Sequence, residues 1–280
     1  MAIYMKIHGL NKLTLLDYPG HMACLIFTGA CNYRCPFCHN ASLVLNPNSQ
    51  PAISEEEIFS FLQSRKDILE GVCISGGEPT LQSDLPEFIR KIRAMGFHVK
   101  LDTNGSRPGI LKSLLDEGLL DYVSMDIKNA PKKYLTTIGI PAETDSASVP
   151  GDEGHPFSSA SGRNTSAAFS GDCSQSNDIP GFHNLITDSV RQSAELLMQS
   201  GIPYEFRTTV VKELHDEADL LTIGKWLNGA SAYYLQSFRD SETLVGAAPG
   251  QFHAYEPEQM RAFRDLLKPY FETVELRGID

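Results

Sequence analysis

The sequence predicts an α/β protein built on a parallel sheet, and three observations lead there. Short apolar runs alternate with longer amphipathic ones along most of the chain. The segments joining them are short wherever the alternation holds. At 280 residues and 41% apolar composition, the chain is large enough to bury one sizeable core. Six β-α repeats of this kind fold as either an incomplete barrel or a doubly wound sheet.

The elements follow in order. Met22–Thr28 reads as a strand. Ser54–Leu69 reads as a helix opened by Ser54, with Glu57 three residues on in a capping-box pattern. A strand at Gly71–Ser75, a helix at Leu85–Met95 and a strand at Phe97–Asp102 come next. A helix at Pro108–Glu117 closes on Gly118, and Tyr122–Ile127 forms a fourth strand. Beyond residue 182 lie a helix at Asn184–Gln199, a strand at Tyr204–Val211, a helix at Asp216–Leu227, a strand at Ala232–Gln236 and a helix at Pro257–Leu267. Residues 141–182 interrupt the pattern with nine serines, five glycines and no Leu, Met, Tyr or Trp. Such a stretch has too little apolar surface to offset the entropy of ordering it, so it reads as a disordered surface insertion in a single domain spanning 1–280.

A net charge of −11 argues against nucleic acid as a partner. The apolar run Met22–Phe27 is far short of the roughly 20 residues that span a bilayer, and Met1–Leu10 has no signal-peptide pattern. These readings place the protein in the cytoplasm, away from membranes. Three of the six cysteines crowd into one loop, which points to metal rather than to a disulfide framework.

That loop, Cys31-Asn32-Tyr33-Arg34-Cys35-Pro36-Phe37-Cys38, follows the first predicted strand. Three thiolates are one short of a closed four-iron cluster or a structural zinc, leaving one metal position open. A zinc site would have to recruit His39, but neighbouring side chains such as Cys38 and His39 rarely converge on one tetrahedral ion, and no second C-x2-C exists. A ferredoxin-like carrier would need Cys24 or Cys73 to leave the core. Further polar groups fall at strand ends: Ser75-Gly76-Gly77-Glu78-Pro79, Leu101-Asp102-Thr103-Asn104-Gly105 and Met125-Asp126-Ile127-Lys128. Polar groups on successive strand ends suggest one shared pocket. The paired glycines would let the backbone approach a ligand, and Glu78 suits an ammonium group. Arg207 suits a carboxylate or a structural ion pair, and Gln236 lies at the end of the sixth predicted strand.

C-x3-C-x-aromatic-C, with Phe37 in the aromatic slot, resembles the signature of the radical S-adenosylmethionine (SAM) superfamily. The resemblance implies a [4Fe–4S] cluster held by Cys31, Cys35 and Cys38, with SAM chelating the open iron and yielding a 5′-deoxyadenosyl radical on reductive cleavage. It also implies that the Gly76-Gly77-Glu78-Pro79 motif holds the methionine amino group. Thr14-Leu15-Leu16-Asp17-Tyr18-Pro19-Gly20, Cys38-His39-Asn40, Leu101–Gly105 and the Asp126-Ile127-Lys128 step resemble glycyl-radical-enzyme activases. With Tyr204–Val211 and Tyr234–Phe238, the chain is similar to the anaerobic ribonucleoside-triphosphate reductase activating group.

What this implies is a partial (β/α)6 barrel open at the side, a glycyl radical enzyme as partner, and flavodoxin or ferredoxin as electron donor. Asp17 and Lys128 would lie on the rim facing the incoming partner loop. The alternatives within the same chemistry are an activase of the pyruvate formate-lyase type and an enzyme acting on a small molecule such as a deazapurine precursor. No second cysteine cluster is present for an auxiliary centre.

Overall fold

The computed structural model describes residues 5–140 and 182–279. The Ser/Gly-rich insertion therefore lies outside the described residues, apart from Phe182, where a helix already begins. Eight strands form one open sheet in chain order: β1 (Ile7–Thr14), β2 (Ala23–Thr28), β3 (Gly71–Gly76), β4 (His98–Thr103), β5 (Tyr122–Asp126), β6 (Tyr204–Val210), β7 (Ala230–Ser237) and β8 (Phe271–Arg277). β2 through β8 are parallel, and β1 pairs antiparallel with β2 at the edge. The sheet is an incomplete barrel, as expected, but with a seventh parallel strand and an antiparallel edge in place of six strands.

Six longer helices connect these strands: α1 (Glu55–Ser64), α2 (Leu85–Ala94), α3 (Pro108–Asp116), α4 (Phe182–Gln199), α5 (Glu217–Trp226) and α6 (Pro257–Leu267). Ser54 caps α1 by accepting from the Glu57 amide at 3.1 Å, as its capping pattern predicts. The helix ends five residues before Leu69, because the chain turns through Arg65, whose carbonyl accepts from Ile68 and Leu69, before entering β3. None of the helices among the described residues is long and apolar enough to cross a membrane.

Alternation along each strand divides the sheet into two faces. Cys24 and Ile26, Val72 and Ile74, Val99 and Leu101, and Val123 and Met125 pack against α1–α4 side chains such as Ile58, Leu62, Phe88, Ile92, Leu114 and Leu197. Each such side chain contributes roughly 1.5–3 kcal/mol by leaving water. The opposite face carries Cys73, Lys100, Asp102, Ser124, Asp126, Glu205 and Arg207, a polar set that the helix-facing core excludes.

The register also corrects one expectation. Thr14 pairs with Ala23, the first residue of β2, whereas the cysteine loop follows Thr28, the last. Asp17, whose carboxylate accepts from the Thr14 hydroxyl at 2.6 Å, therefore sits at the N-terminal end of the parallel strands, away from the cysteine rim. Next to it Tyr18 is buried against Gly71, the first residue of β3.

Candidate metal and cofactor site

The cysteine loop leaves β2 through a tight turn in which Ala30 adopts φ 68°, the left-handed region that a non-glycine residue seldom enters. That turn is tied to β3: the Gly77 amide donates to the Thr28 carbonyl at 2.9 Å, and the Glu78 amide to the Ala30 carbonyl at 2.8 Å. A Cβ on Gly77 would lie 1.9 Å from the Ala30 oxygen, and Gly76, at φ +121°, would meet the Thr28 backbone at 2.3 Å. The Gly-Gly pair thus makes room first for the chain's own backbone, and through it fixes the base of the loop.

Two other segments hold the loop. The Arg34 amide donates to the Ile138 carbonyl at 2.9 Å. On the far side, the loop after β7 donates from Val245 to the Cys38 carbonyl at 3.2 Å and from Gly246 to the Pro36 carbonyl at 3.1 Å. His39 turns toward this strap. Its Nε2 bonds the Arg239 carbonyl at 2.6 Å, and its ring stacks on Phe238. This position accounts for His39 without any ligating role.

Cys31, Cys35 and Cys38 line one cavity at the C-terminal ends of the strands, together with Phe37, His39 and Asn40 from the same loop. Gly76 at the end of β3 with Gly77 and Glu78 just after it, Asp102 from β4, Asp126 at the end of β5 with Lys128 beyond it, and Arg207 from β6 join them. Gln236 is not in this wall; it accepts a long 3.5 Å bond from the Thr209 hydroxyl. Sequence reasoning missed Tyr33, Val44, Ser75, Thr103, Asn104 and Thr209 as lining residues. Thr103 and Asn104 could have been found, since they stand in the same strand-end motif as Asp102. Val44, on a short helical turn after the loop, gives no local signal.

Glu78 is completely buried and takes four hydrogen bonds. The Thr80 amide, the Thr80 hydroxyl and the Thr103 hydroxyl all donate to Oε1, while Oε2 receives only the Asn104 amide at 2.7 Å. A carboxylate offers about four lone-pair directions, so Oε2 keeps one for a further donor. Burial raises the Glu78 pKa, and these donors work against that rise.

Across the polar face runs a chain of charges. Arg207 bonds Asp126 at 2.5 Å and pairs with Asp102 at 3.2 Å; Lys128 bonds Asp126 at 2.8 Å, and Lys100 pairs with Asp102. Burial alone would push Asp102 and Asp126 up, but Arg207 with Lys100, and Arg207 with Lys128, hold both carboxyls well below their ordinary values. Of these cations Lys128 and Arg207 line the cavity itself. Arg207 thus makes internal ion pairs with Asp102 and Asp126 while also lining the cavity.

The donor set fits an iron–sulfur cluster. Three sulfurs line the same cavity, and Lys128 stands close enough to Cys35 to favour its ionised form against the effect of burial. Among the described residues no three His, Cys, Asp or Glu side chains are already drawn together as a ligand set. The thiols give the reason: burial pushes Cys31 up to about 11 and Cys35 up to about 12, so without metal they are neutral and nothing pulls them to a common point. Binding must displace their protons.

Residues 25–148 match the model of the Radical SAM superfamily. Over nearly its whole length the chain is 28% identical to the "Putative glycyl-radical enzyme activating enzyme MJ1227" of Methanocaldococcus jannaschii; the match covers 98% of this chain and 96% of that one. It is 31% identical over 129 residues to the pyruvate formate-lyase-activating enzyme of Clostridium pasteurianum, covering 44% of this chain and 52% of the relative. In fold it is similar to Streptococcus suis SuiB bound to S-adenosylmethionine, with a TM-score of 0.57 at 12% identity, over 89% of this chain and 48% of that one. Residues 25–148, a little under half of the chain, are thus similar to the Radical SAM superfamily, whose members use a [4Fe–4S] cluster and SAM, and the chain is similar along its length to a relative described as a glycyl-radical enzyme activating enzyme.

Proposed function

We propose that the chain is an activating enzyme that installs a glycyl radical on an anaerobic ribonucleoside-triphosphate reductase. The observation that carries this reading is one cavity lined together by Cys31, Cys35 and Cys38 and by Gly76, Gly77, Glu78 and Lys128. A [4Fe–4S] cluster bound there would supply the electron that splits SAM into methionine and a 5′-deoxyadenosyl radical. The chain's own groups have separate tasks in this reading. Cys31, Cys35 and Cys38 hold the metal, and the free direction on Glu78 Oε2 accepts from the methionine ammonium. The ammonium of Lys128, which lines the same cavity, suits its carboxylate. Asn40, which donates from Nδ2 to the Gly76 carbonyl at 2.8 Å, fixes the strand edge beside them.

The near full-length match to MJ1227 supports a protein substrate. The shorter match to pyruvate formate-lyase-activating enzymes supports a second reading, in which the partner is a glycyl radical enzyme of that type. Iron and sulfide reconstitution without oxygen, followed by reductant and SAM, should give 5′-deoxyadenosine. Cys35→Ala should abolish it, and undiminished product in that variant would sink the reading. Incubation with each candidate partner separates the two targets, because only the true one develops a glycyl radical doublet in its EPR spectrum.

A further inference from the structure

The three loop sulfurs are not equivalent. Cys31 Sγ receives the Tyr33 amide at 3.4 Å and the Asn104 side-chain amide at 3.9 Å. Among the described residues no N–H donates to the sulfur of Cys35 or Cys38. Asn104 is held where it stands. Its backbone N–H donates to Glu78, its Oδ1 accepts from the Ser106 amide at 2.9 Å, and its Nδ2 also donates to the Asn32 Oδ1 at 3.0 Å. An amide nitrogen has two hydrogens, so one serves Asn32 and the other is left for the sulfur. The side chain is buried, at 5% exposure, which keeps water from competing for either hydrogen.

We propose that Asn104 is a tuning residue: its amide donates to the Cys31 sulfur and raises the reduction potential of the cluster held by the loop. The proposal rests on the reading of Cys31, Cys35 and Cys38 as the cluster's ligands. A donor aimed at a ligand sulfur stabilises the more negative, reduced state, and the contact strengthens when the sulfur carries charge. Its placement just after β4 matters, because Asn104 also bonds Glu78, so the same residue joins the sulfurs to the edge proposed for the ammonium group.

The test is an EPR-monitored redox titration of the reconstituted protein, with iron counted per chain. Asn104→Ala removes the donor. Asn104→Asp keeps an acceptor for Ser106 and replaces the donor by an anionic oxygen. Both should bind iron as the wild type does. At a fixed applied potential their ratio of reduced to oxidised cluster should fall about tenfold, or about 59 mV for a one-electron couple, and further in Asp than in Ala. Asn32→Ala, which frees the loop from Asn104 but leaves the donor, should stay within about threefold of wild type. Loaded Asn104 variants with an unchanged ratio would overturn the proposal. So would an Asn32→Ala shift as large as that of Asn104→Ala, or loss of iron from both Asn104 variants, since each makes the residue a brace for the loop. Wild-type protein that assembles no cluster would instead overturn the reading of the three cysteines.

Discussion

A Cβ placed on Gly77 would stand 1.9 Å from the Ala30 carbonyl oxygen, and backbone cannot step aside as the end of a long side chain can. Gly77→Ala must therefore push β3 away from the turn that starts the cysteine loop, breaking the Gly77–Thr28 and Glu78–Ala30 hydrogen bonds. We expect a loss of about 2–4 kcal/mol in urea unfolding, the range for overpacking combined with broken backbone bonds, and reduced iron uptake on reconstitution. Gly109 is the matching control. It lies in the first turn of α3, and nothing stands within 4 Å of its added Cβ, so Gly109→Ala should be neutral or stabilising by up to about 1 kcal/mol with full iron uptake. Equal behaviour of the two alanines would show that the close approach at Gly77 is not a constraint.

At the scale of elements, local chemistry decides where helices begin. Asp216 accepts from the Asp219 amide at 2.9 Å, and the Asp219 carboxylate accepts from the Asp216 amide at 2.9 Å, a reciprocal capping box at the start of α5. Asp216→Ala should cost about 1 kcal/mol in chemical denaturation, and Asp216→Ser appreciably less, because serine keeps an acceptor for the Asp219 amide. An alanine variant as stable as wild type would remove the cap from the account of this helix. Such signals explain what was legible in the sequence. α6 matches its predicted span, and β2, β3, β4 and β5 each fall within a residue or two of theirs. The two edge strands were not legible. β1 has Lys12 and Leu13 exposed and bulges against β2, and β8 buries Phe271 and Val274, three residues apart, so neither presents the period-two pattern that marks a half-buried strand. At the site, motifs written into contiguous residues were legible, whereas the commitment of Arg207 to Asp102 and Asp126 was not. It depends on which strands the topology brings together.

For the molecule as a whole, that ion network sets the response to acid. Asp102 and Asp126 have folded pKa values below those of the unfolded chain, where an aspartate titrates near 3.9. As pH falls past that value, the unfolded chain takes up protons that the folded carboxyls still refuse. Stability contributed above about pH 4 is therefore lost progressively on further acidification, by up to about 1.4 kcal/mol per pH unit for each group. Glu78 works in the opposite sense and in a higher window: its raised folded pKa costs stability as pH rises through its unfolded value, and below that value it is protonated in both states and leaves the acid slope to the two aspartates. Replacing Asp102 with Asn should flatten the acid limb between about pH 5 and pH 2. At neutral pH it should also destabilise the fold by about 3–5 kcal/mol, because it leaves Lys100 and Arg207 buried with one carboxylate fewer. Urea unfolding at half-unit pH steps measures both effects in one series. An Asp102→Asn protein whose stability falls with acid as steeply as the wild type would place the titrating groups elsewhere in the chain.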